Sequence, residues 1–184
     1  MLNFDKIENT TILMEPYEHL VCEQAATGDD LYKIYEDLKE SSEWDKAGEY
    51  DVSLYRLPVS NPTLDNFQIK VDEYNWRPLL KRMGVEYSNL ITSWQATKIS
   101  HPLGPHTDEP EITTVVAKFL LYLTPEIDCG TIVHDSDLNV VKVTPGKLGD
   151  FFLFKTSKKS FHSTNYEHID PNTKRVALIG CFHV

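Results

Sequence analysis

The segment TTVVAKFLLYLT, residues 113–124, carries the clearest strand pattern in the chain. Successive side chains of a β-strand point to opposite faces. One face is wholly apolar and the other is mixed, the two sets being Val115, Ala117, Phe119, Leu121, Leu123 and Thr114, Val116, Lys118, Leu120, Tyr122, Thr124. Such a strand either packs helices on one side and lines a partly polar cavity on the other, or is a core strand whose Lys and Tyr reach solvent at the rim. The segment alone favours neither interpretation.

The chain on both sides of this segment also reads as short strands. Proline, glycine and aspartate turns separate the candidates from residue 91 onward. They cover residues 91–100, 113–124, 130–134, 138–144, 150–154, 160–163 and 174–183. This density of strands is typical of a sandwich, a jelly roll or a small barrel.

The first half of the chain carries the helical signals. Asp29 or Asp30 can cap the segment LYKIYEDLKE (31–40), in which apolar residues recur at helical spacing. A second helix is predicted for residues 71–83, where Pro78 would either kink the helix or mark the first turn of a new one. We therefore expect a mainly β fold with some α structure.

Composition excludes several classes of protein. The chain has 184 residues and a net charge of -10, which argues against binding to nucleic acid or to an anionic membrane. No apolar run approaches the roughly 20 residues that span a bilayer, and no secretory signal is visible. The cysteines, Cys22, Cys129 and Cys181, form neither a disulfide framework nor a zinc pattern. A reduced, cytoplasmic protein is expected.

A histidine and an aspartate follow the first strand candidate. His106 and Asp108 lie in the loop HPLGPHTDEP (101–110), and ligands at this spacing can converge on one ion where a strand runs out into a loop. A third ligand from another strand completes a 2-His-1-carboxylate site, which favours non-haem Fe(II). His-x-Asp alone is a weak signal, because His168-Ile169-Asp170 matches it too. Too little chain follows the second match to complete a barrel around it.

Residues 94–183 resemble the double-stranded β-helix core of Fe(II)- and 2-oxoglutarate-dependent oxygenases, especially their prolyl-hydroxylase-like branch. The resemblance rests on features in a fixed order: HTD at 106–108, KFLLYLTPEIDCGTIV at 118–133, PGKLGDFFLF at 145–154, SFHS at 160–163 and Arg175 at the start of the last strand. The N-terminal EPYEHLVCEQ (15–24) also resembles the entry segment of some small bacterial and phage members.

This resemblance implies a jelly-roll core with supporting N-terminal helices and a set of site residues. His106, Asp108 and His162 would bind Fe(II), leaving positions for 2-oxoglutarate and for dioxygen. Arg175 and Tyr122 would hold the 5-carboxylate of 2-oxoglutarate, since a guanidinium forks onto a carboxylate.

The residues themselves leave other interpretations open. Arg175 could be a surface arginine beside Lys174, Tyr122 could be an ordinary core tyrosine, and Lys118 is a rival partner for the carboxylate. Three further histidines are most simply explained as surface or satisfied core residues: His19, His101 and His134. Of these, His101 is near enough to line the mouth of the site.

The resemblance implies an oxygenase, most simply a hydroxylase, in a single domain over residues 1–184. Residues 1–90 would supply helical support, with the substrate mouth in 43–90, and residues 91–184 would form the jelly-roll core. We expect a small molecule, an amino acid or a peptidyl residue as substrate, and no nucleic acid or membrane partner. The alternative is a non-catalytic jelly-roll or cupin-like binding protein that retains a metal.

Overall fold

A computed structural model describes residues 2–40, 45–46, 54–57, 62–86, 91–99, 102–108, 114–165 and 175–184. The helices in these ranges are α1 (Phe4–Asn9), α2 (Asp29–Glu40), α3 (Pro62–Glu73) and α4 (Arg77–Arg82). The strands are β1 (His19–Cys22), β2 (Asp45–Lys46), β3 (Leu54–Leu57), β4 (Ile91–Ile99), β5 (Val115–Tyr122), β6 (Thr131–His134), β7 (Val140–Val143), β8 (Phe151–Lys155), β9 (His162–Thr164) and β10 (Arg175–His183). No helix among the described residues has both the length and the apolar character that crossing a membrane requires.

The strands form two sheets whose neighbouring strands are antiparallel. The larger sheet has the order β1-β8-β5-β10-β4-β3-β2, and the smaller has the order β7-β6-β9. An isolated bridge between His106 and His162 adds one more pairing beside β9. Val133 of the smaller sheet packs against Tyr122 and Phe152 of the larger one, so the two sheets enclose a common interior. The jelly-roll fold and all seven predicted strands are confirmed.

The helix predicted for residues 71–83 is two helices in the structure. The first, α3, ends at Glu73, and α4 begins at Arg77 with Pro78 in its first turn. Proline suits this place because it lacks the backbone N–H that a first turn leaves without a partner. The indole of Trp76, just before α4, donates to the carbonyl of Val71 in α3 at 2.8 Å, so a hydrogen bond connects the two helices across the break. Pro78 therefore marks a new helix and not a kink.

The two faces of β5 have different surroundings. Phe119 belongs to the large apolar core, where its ring stacks on Trp76 at 5.7 Å and on Phe151 at 5.0 Å. Tyr122 is fully buried on the opposite face, between the sheets. The strand therefore packs helical elements on one side and lines the interior on the other, and Tyr122 does not reach solvent.

The N-terminal segment contributes a strand as well as helices. His19 to Cys22 form β1 at the edge of the larger sheet, where His19 lies opposite Phe154. Tyr17 packs into the interior between the sheets, and its hydroxyl donates to the carbonyl of Phe161 at 3.2 Å. This segment thus contacts the turn that leads into His162.

Candidate metal centre

Reciprocal backbone hydrogen bonds place two histidines side by side. The His106 N–H donates to the His162 carbonyl at 3.0 Å, and the His162 N–H donates to the His106 carbonyl at 2.9 Å. The two ring centroids are consequently 4.5 Å apart. Asp108 lies two residues beyond His106, and its carboxylate lies close to both rings. The pairing of two distant segments therefore assembles all three predicted ligands.

The three side chains present their ligand atoms to one point. His106 Nε2 lies 3.7 Å from Asp108 Oδ1, and His162 Nε2 lies 3.4 Å from Asp108 Oδ2. All three ligand atoms lie within 4.8 Å of one another, which is close enough for a single ion to bind them together. The donor set, two imidazoles and one carboxylate, suits Fe(II) with open positions.

Hydrogen bonds to the far side of each ring orient the imidazoles. His106 Nδ1 lies 2.8 Å from the Gly104 carbonyl, and His162 Nδ1 lies 3.0 Å from the Ser160 carbonyl. Because a carbonyl oxygen only accepts, each Nδ1 must carry a proton. A neutral ring therefore presents the Nε2 lone pair to the centre, as metal-binding histidines do. The residues fit a divalent metal.

The charge states of these groups also favour a cation. Burial raises the pKa of the Asp108 carboxyl, but its close contacts with His162 and Lys118 outweigh this and hold that pKa well below its usual range. Burial lowers the pKa of His106. Asp108 is therefore ionised and His106 is neutral at neutral pH.

The triad opens into a cavity of about 130 Å³ between the two sheets. Arg175 and Lys118 also line this cavity, together with Ile99, Leu103, Leu120, Thr131, Ser163, Thr164 and Ile179. The charged and hydroxyl side chains in this lining suit a polar ligand.

Arg175 is the first residue of β10 and is almost completely buried, with 2% of its surface exposed. Its Nη2 lies 3.5 Å from Thr131 Oγ1, and its guanidinium carbon lies 5.1 Å from the centre of the Tyr122 ring. Its Nε has no hydrogen-bond partner among the described residues. A buried cation with an unpartnered donor is costly unless an anion binds beside it. This side chain therefore fits a carboxylate ligand.

Tyr122 lies behind the cavity wall. Its hydroxyl is 2.7 Å from Thr131 Oγ1 and 3.5 Å from Thr144 Oγ1. Burial raises the pKa of Tyr122, although the charge of Arg175 opposes that shift. Thr131 thus stands between Tyr122 and Arg175 and faces the cavity. Sequence reasoning missed Thr131, because the partners that give it a role lie on other strands.

Lys118 lies at the triad. Its Nζ is 3.2 Å from Asp108 Oδ2, the oxygen that also faces His162. The sequence had placed Lys118 on the same strand face as Tyr122, and on that face Lys118 and Leu120 line the cavity. Its partner in the structure is a predicted metal ligand.

Two of the remaining histidines are core residues, but only one is satisfied. His134 is buried and its ring nitrogens lie 3.2 Å from the Leu138 carbonyl and 2.7 Å from Ser163 Oγ. His19 is buried with Nδ1 bonded to the Tyr17 carbonyl, while its Nε2 has no partner within the described parts of the chain. His101 and the second His-x-Asp at 168–170 lie outside the described residues.

Comparison with known proteins identifies the fold. The sequence matches no protein-family model and no curated protein sequence. Among solved structures, a Pseudomonas putida prolyl-4-hydroxylase is 13% identical with a TM-score of 0.65, over 90% of this chain and 91% of that chain. A Trichoplax adhaerens prolyl hydroxylase, in complex with a hypoxia inducible factor peptide, is 12% identical with a TM-score of 0.66, over 90% and 83%. The α-ketoglutarate-dependent epimerase SnoN from nogalamycin biosynthesis is 13% identical with a TM-score of 0.60, over 90% and 78%.

These likenesses establish the fold. The chain has the prolyl-hydroxylase-like fold of the 2-oxoglutarate- and Fe(II)-dependent oxygenases. Within it, a His-Asp-His triad is present at the interior cavity.

Proposed function

We propose that this protein is an Fe(II)- and 2-oxoglutarate-dependent dioxygenase. The observation that carries the proposal is the meeting of a His106–Asp108–His162 triad and a buried Arg175 in one cavity. A metal-binding protein without a carboxylate ligand has no need for a buried guanidinium whose Nε–H has no partner within the described part of the chain. The two features together suit a metal that shares its cavity with a small dicarboxylate.

Each residue then has a distinct part. The triad binds the metal through two Nε2 atoms and a carboxylate, while the Gly104 and Ser160 carbonyls hold the imidazole rings in place. The metal and 2-oxoglutarate supply the oxidising chemistry when bound, with dioxygen consumed and succinate and carbon dioxide released.

Arg175 binds the end of 2-oxoglutarate that lies farther from the metal, and we call this arginine the clamp. Its guanidinium donates to the 5-carboxylate of 2-oxoglutarate, in a cavity where little water screens the attraction. Thr131 lies 3.5 Å from Arg175 Nη2 and 2.7 Å from the Tyr122 hydroxyl, so Tyr122 supports the clamp through Thr131. Direct contact between Tyr122 and the carboxylate remains a prediction.

Hydroxylation is the outcome we propose, on a small molecule, an amino acid or a peptidyl residue. Two of the similar structures are prolyl hydroxylases, one of them with a bound peptide fragment. The epimerase SnoN, however, has a similar fold and a different outcome. We also propose a cytoplasmic setting, in which Fe(II) and the free cysteines stay reduced.

Anaerobic addition of Fe(II) and 2-oxoglutarate tests the proposal. We expect the weak visible charge-transfer band of the metal chelate, and its loss in Asp108→Ala. The control is Lys155→Met on the neighbouring strand β8. This variant removes a lysine that pairs with Glu18 at 3.5 Å, and it should keep the band. Full metal occupancy without the band would contradict the proposal and favour a non-catalytic metal-binding protein.

A further inference from the structure

We infer that Lys118 is an anion-binding residue of the cavity and selects a substrate that carries a carboxylate. The inference rests on the proposed function, since it takes a divalent metal and 2-oxoglutarate as the other occupants of the cavity. It concerns a residue that neither the triad nor the Arg175 clamp requires.

The position of Lys118 separates it from the clamp. Lys118 lies opposite Cys181 in the pairing of β5 with β10, six positions along β10 from Arg175. At about 3.3 Å per residue, the two backbones are roughly 20 Å apart along the sheet. Arg175 contacts Thr131, whereas Lys118 Nζ lies 3.2 Å from Asp108 Oδ2. The two cations therefore enter the cavity from different ends and serve different anions.

The charges around the cavity leave an anion unaccounted for. Among the described residues that line it, Lys118 and Arg175 are cationic and Asp108 is anionic, which gives one surplus positive charge when the histidines are neutral. A divalent metal raises the surplus to three, and the 2-oxoglutarate dianion cancels two of these. A substrate with a single negative charge completes the balance. A carboxylate matches this charge better than a phosphate monoester, which carries nearly two charges at neutral pH.

Metal binding makes the ammonium group available to this substrate. Without a metal, Lys118 neutralises the Asp108 carboxylate, and its side chain is only 19% exposed. A metal bound by Asp108 takes over that neutralisation and repels the ammonium group. The flexible four-carbon stem of lysine then allows Nζ to turn away from Asp108 into the open cavity.

A purely structural ion pair is the competing explanation, and the chain contains a matched example. Lys155 of β8 pairs with Glu18 at 3.5 Å, with its side chain 31% exposed and no contact with the cavity. Lys155→Met and Lys118→Met therefore remove the same kind of pair from neighbouring strands. Only the second should alter ligand selection.

The test uses the protein loaded with Mn(II) and saturating 2-oxoglutarate, so that binding is measured without turnover. Amino acids are titrated calorimetrically, each as the free acid and as its C-terminal amide. We expect at least one free acid to bind about tenfold or more tightly than its amide, as a charge-assisted hydrogen bond implies. Lys118→Met should lose this preference, Lys118→Arg should keep most of it, and Lys155→Met should match the wild type.

Each other outcome has a definite meaning. If no free acid outbinds its amide in the wild type, or if Lys118→Met retains the preference while folded by circular dichroism, the inference is overturned. If Lys118→Met weakens 2-oxoglutarate itself, Lys118 belongs to the cosubstrate clamp and the substrate assignment fails. The affinity for Mn(II) and 2-oxoglutarate is measured before any amino acid is added, so failure of the proposed function is recognised separately.

Discussion

The two faces of strand β5 have different roles: one contributes to the stability of the fold and the other to the ligand-binding cavity. On one face Phe119 is fully buried among aromatic rings, and on the other Lys118 and Tyr122 face or support a polar cavity. Alternation along a strand allows this, because neighbouring residues never share a face. The difference teaches that adjacent substitutions in β5 should have separable effects, one on unfolding and the other on ligand binding.

Among substitutions around the cavity, removal of a triad ligand should reduce activity the most. Asp108→Ala takes away the only carboxylate of the triad, so we expect succinate production to fall more than about 100-fold, beyond the usual cost of losing an outer-shell partner. Unfolding by urea should remain cooperative. Retention of metal-dependent succinate production in this variant would contradict the assignment of Asp108 as a ligand.

A substitution on the apolar face of β5 should lower the stability of the fold without changing ligand affinity. Phe119→Ala removes a ring that packs on Trp76 and Phe151, and we expect a loss of about 3–5 kcal/mol in the free energy of unfolding. Below the unfolding transition, affinity for Mn(II) and 2-oxoglutarate should stay close to that of the wild type. A large loss of affinity with little loss of stability would show that the two faces are not separable.

Arg175 tests the far end of the cavity. Arg175→Ala removes the buried guanidinium, and we expect the requirement for 2-oxoglutarate to rise about 10- to 100-fold, as the loss of charge-assisted hydrogen bonds implies. Arg175→Lys keeps the charge without the fork and should lose less affinity. Titration of 2-oxoglutarate into folded, Mn(II)-loaded variants measures both, and normal affinity in Arg175→Ala would refute the assigned role.

A smaller loss of stability is expected from a substitution at Gly180 of β10, which lies against Phe119. A Cβ added at Gly180 would overlap the ring of Phe119, so Gly180→Ala must displace the ring. We expect a loss of about 1–3 kcal/mol in the free energy of unfolding, as overpacking costs. In a Phe119→Leu background the loss should shrink, which a double-mutant cycle measures. Equal losses in both backgrounds would show that the contact does not cause the effect.

Much of the fold and of the candidate site could be predicted because the signals are local. The apolar alternation of residues 113–124 and the turns around each strand fall within short windows, and the His-x-Asp spacing lies within three residues. The start of α4 is marked by Pro78 in its first turn, and this effect of proline on the backbone is equally local. Such features depend little on the rest of the molecule.

The features that were missed depend on distant partners. Strands β1, β2 and β3 have at most four residues each and owe their conformation to pairing with the larger sheet. Thr131 joins Tyr122 to Arg175 only because β5, β6 and β10 come together in the fold. Similarly, the contact of Lys118 with Asp108 links a strand with a loop, and nothing in the local sequence specifies it.

A crystal structure of the protein grown anaerobically with Mn(II) and 2-oxoglutarate tests the central claim most directly. We predict one metal bound by His106 Nε2, His162 Nε2 and the Asp108 carboxylate, with 2-oxoglutarate on the metal and its 5-carboxylate on the guanidinium of Arg175. A metal bound away from these three side chains, or a 2-oxoglutarate whose 5-carboxylate lies away from Arg175, would contradict the account.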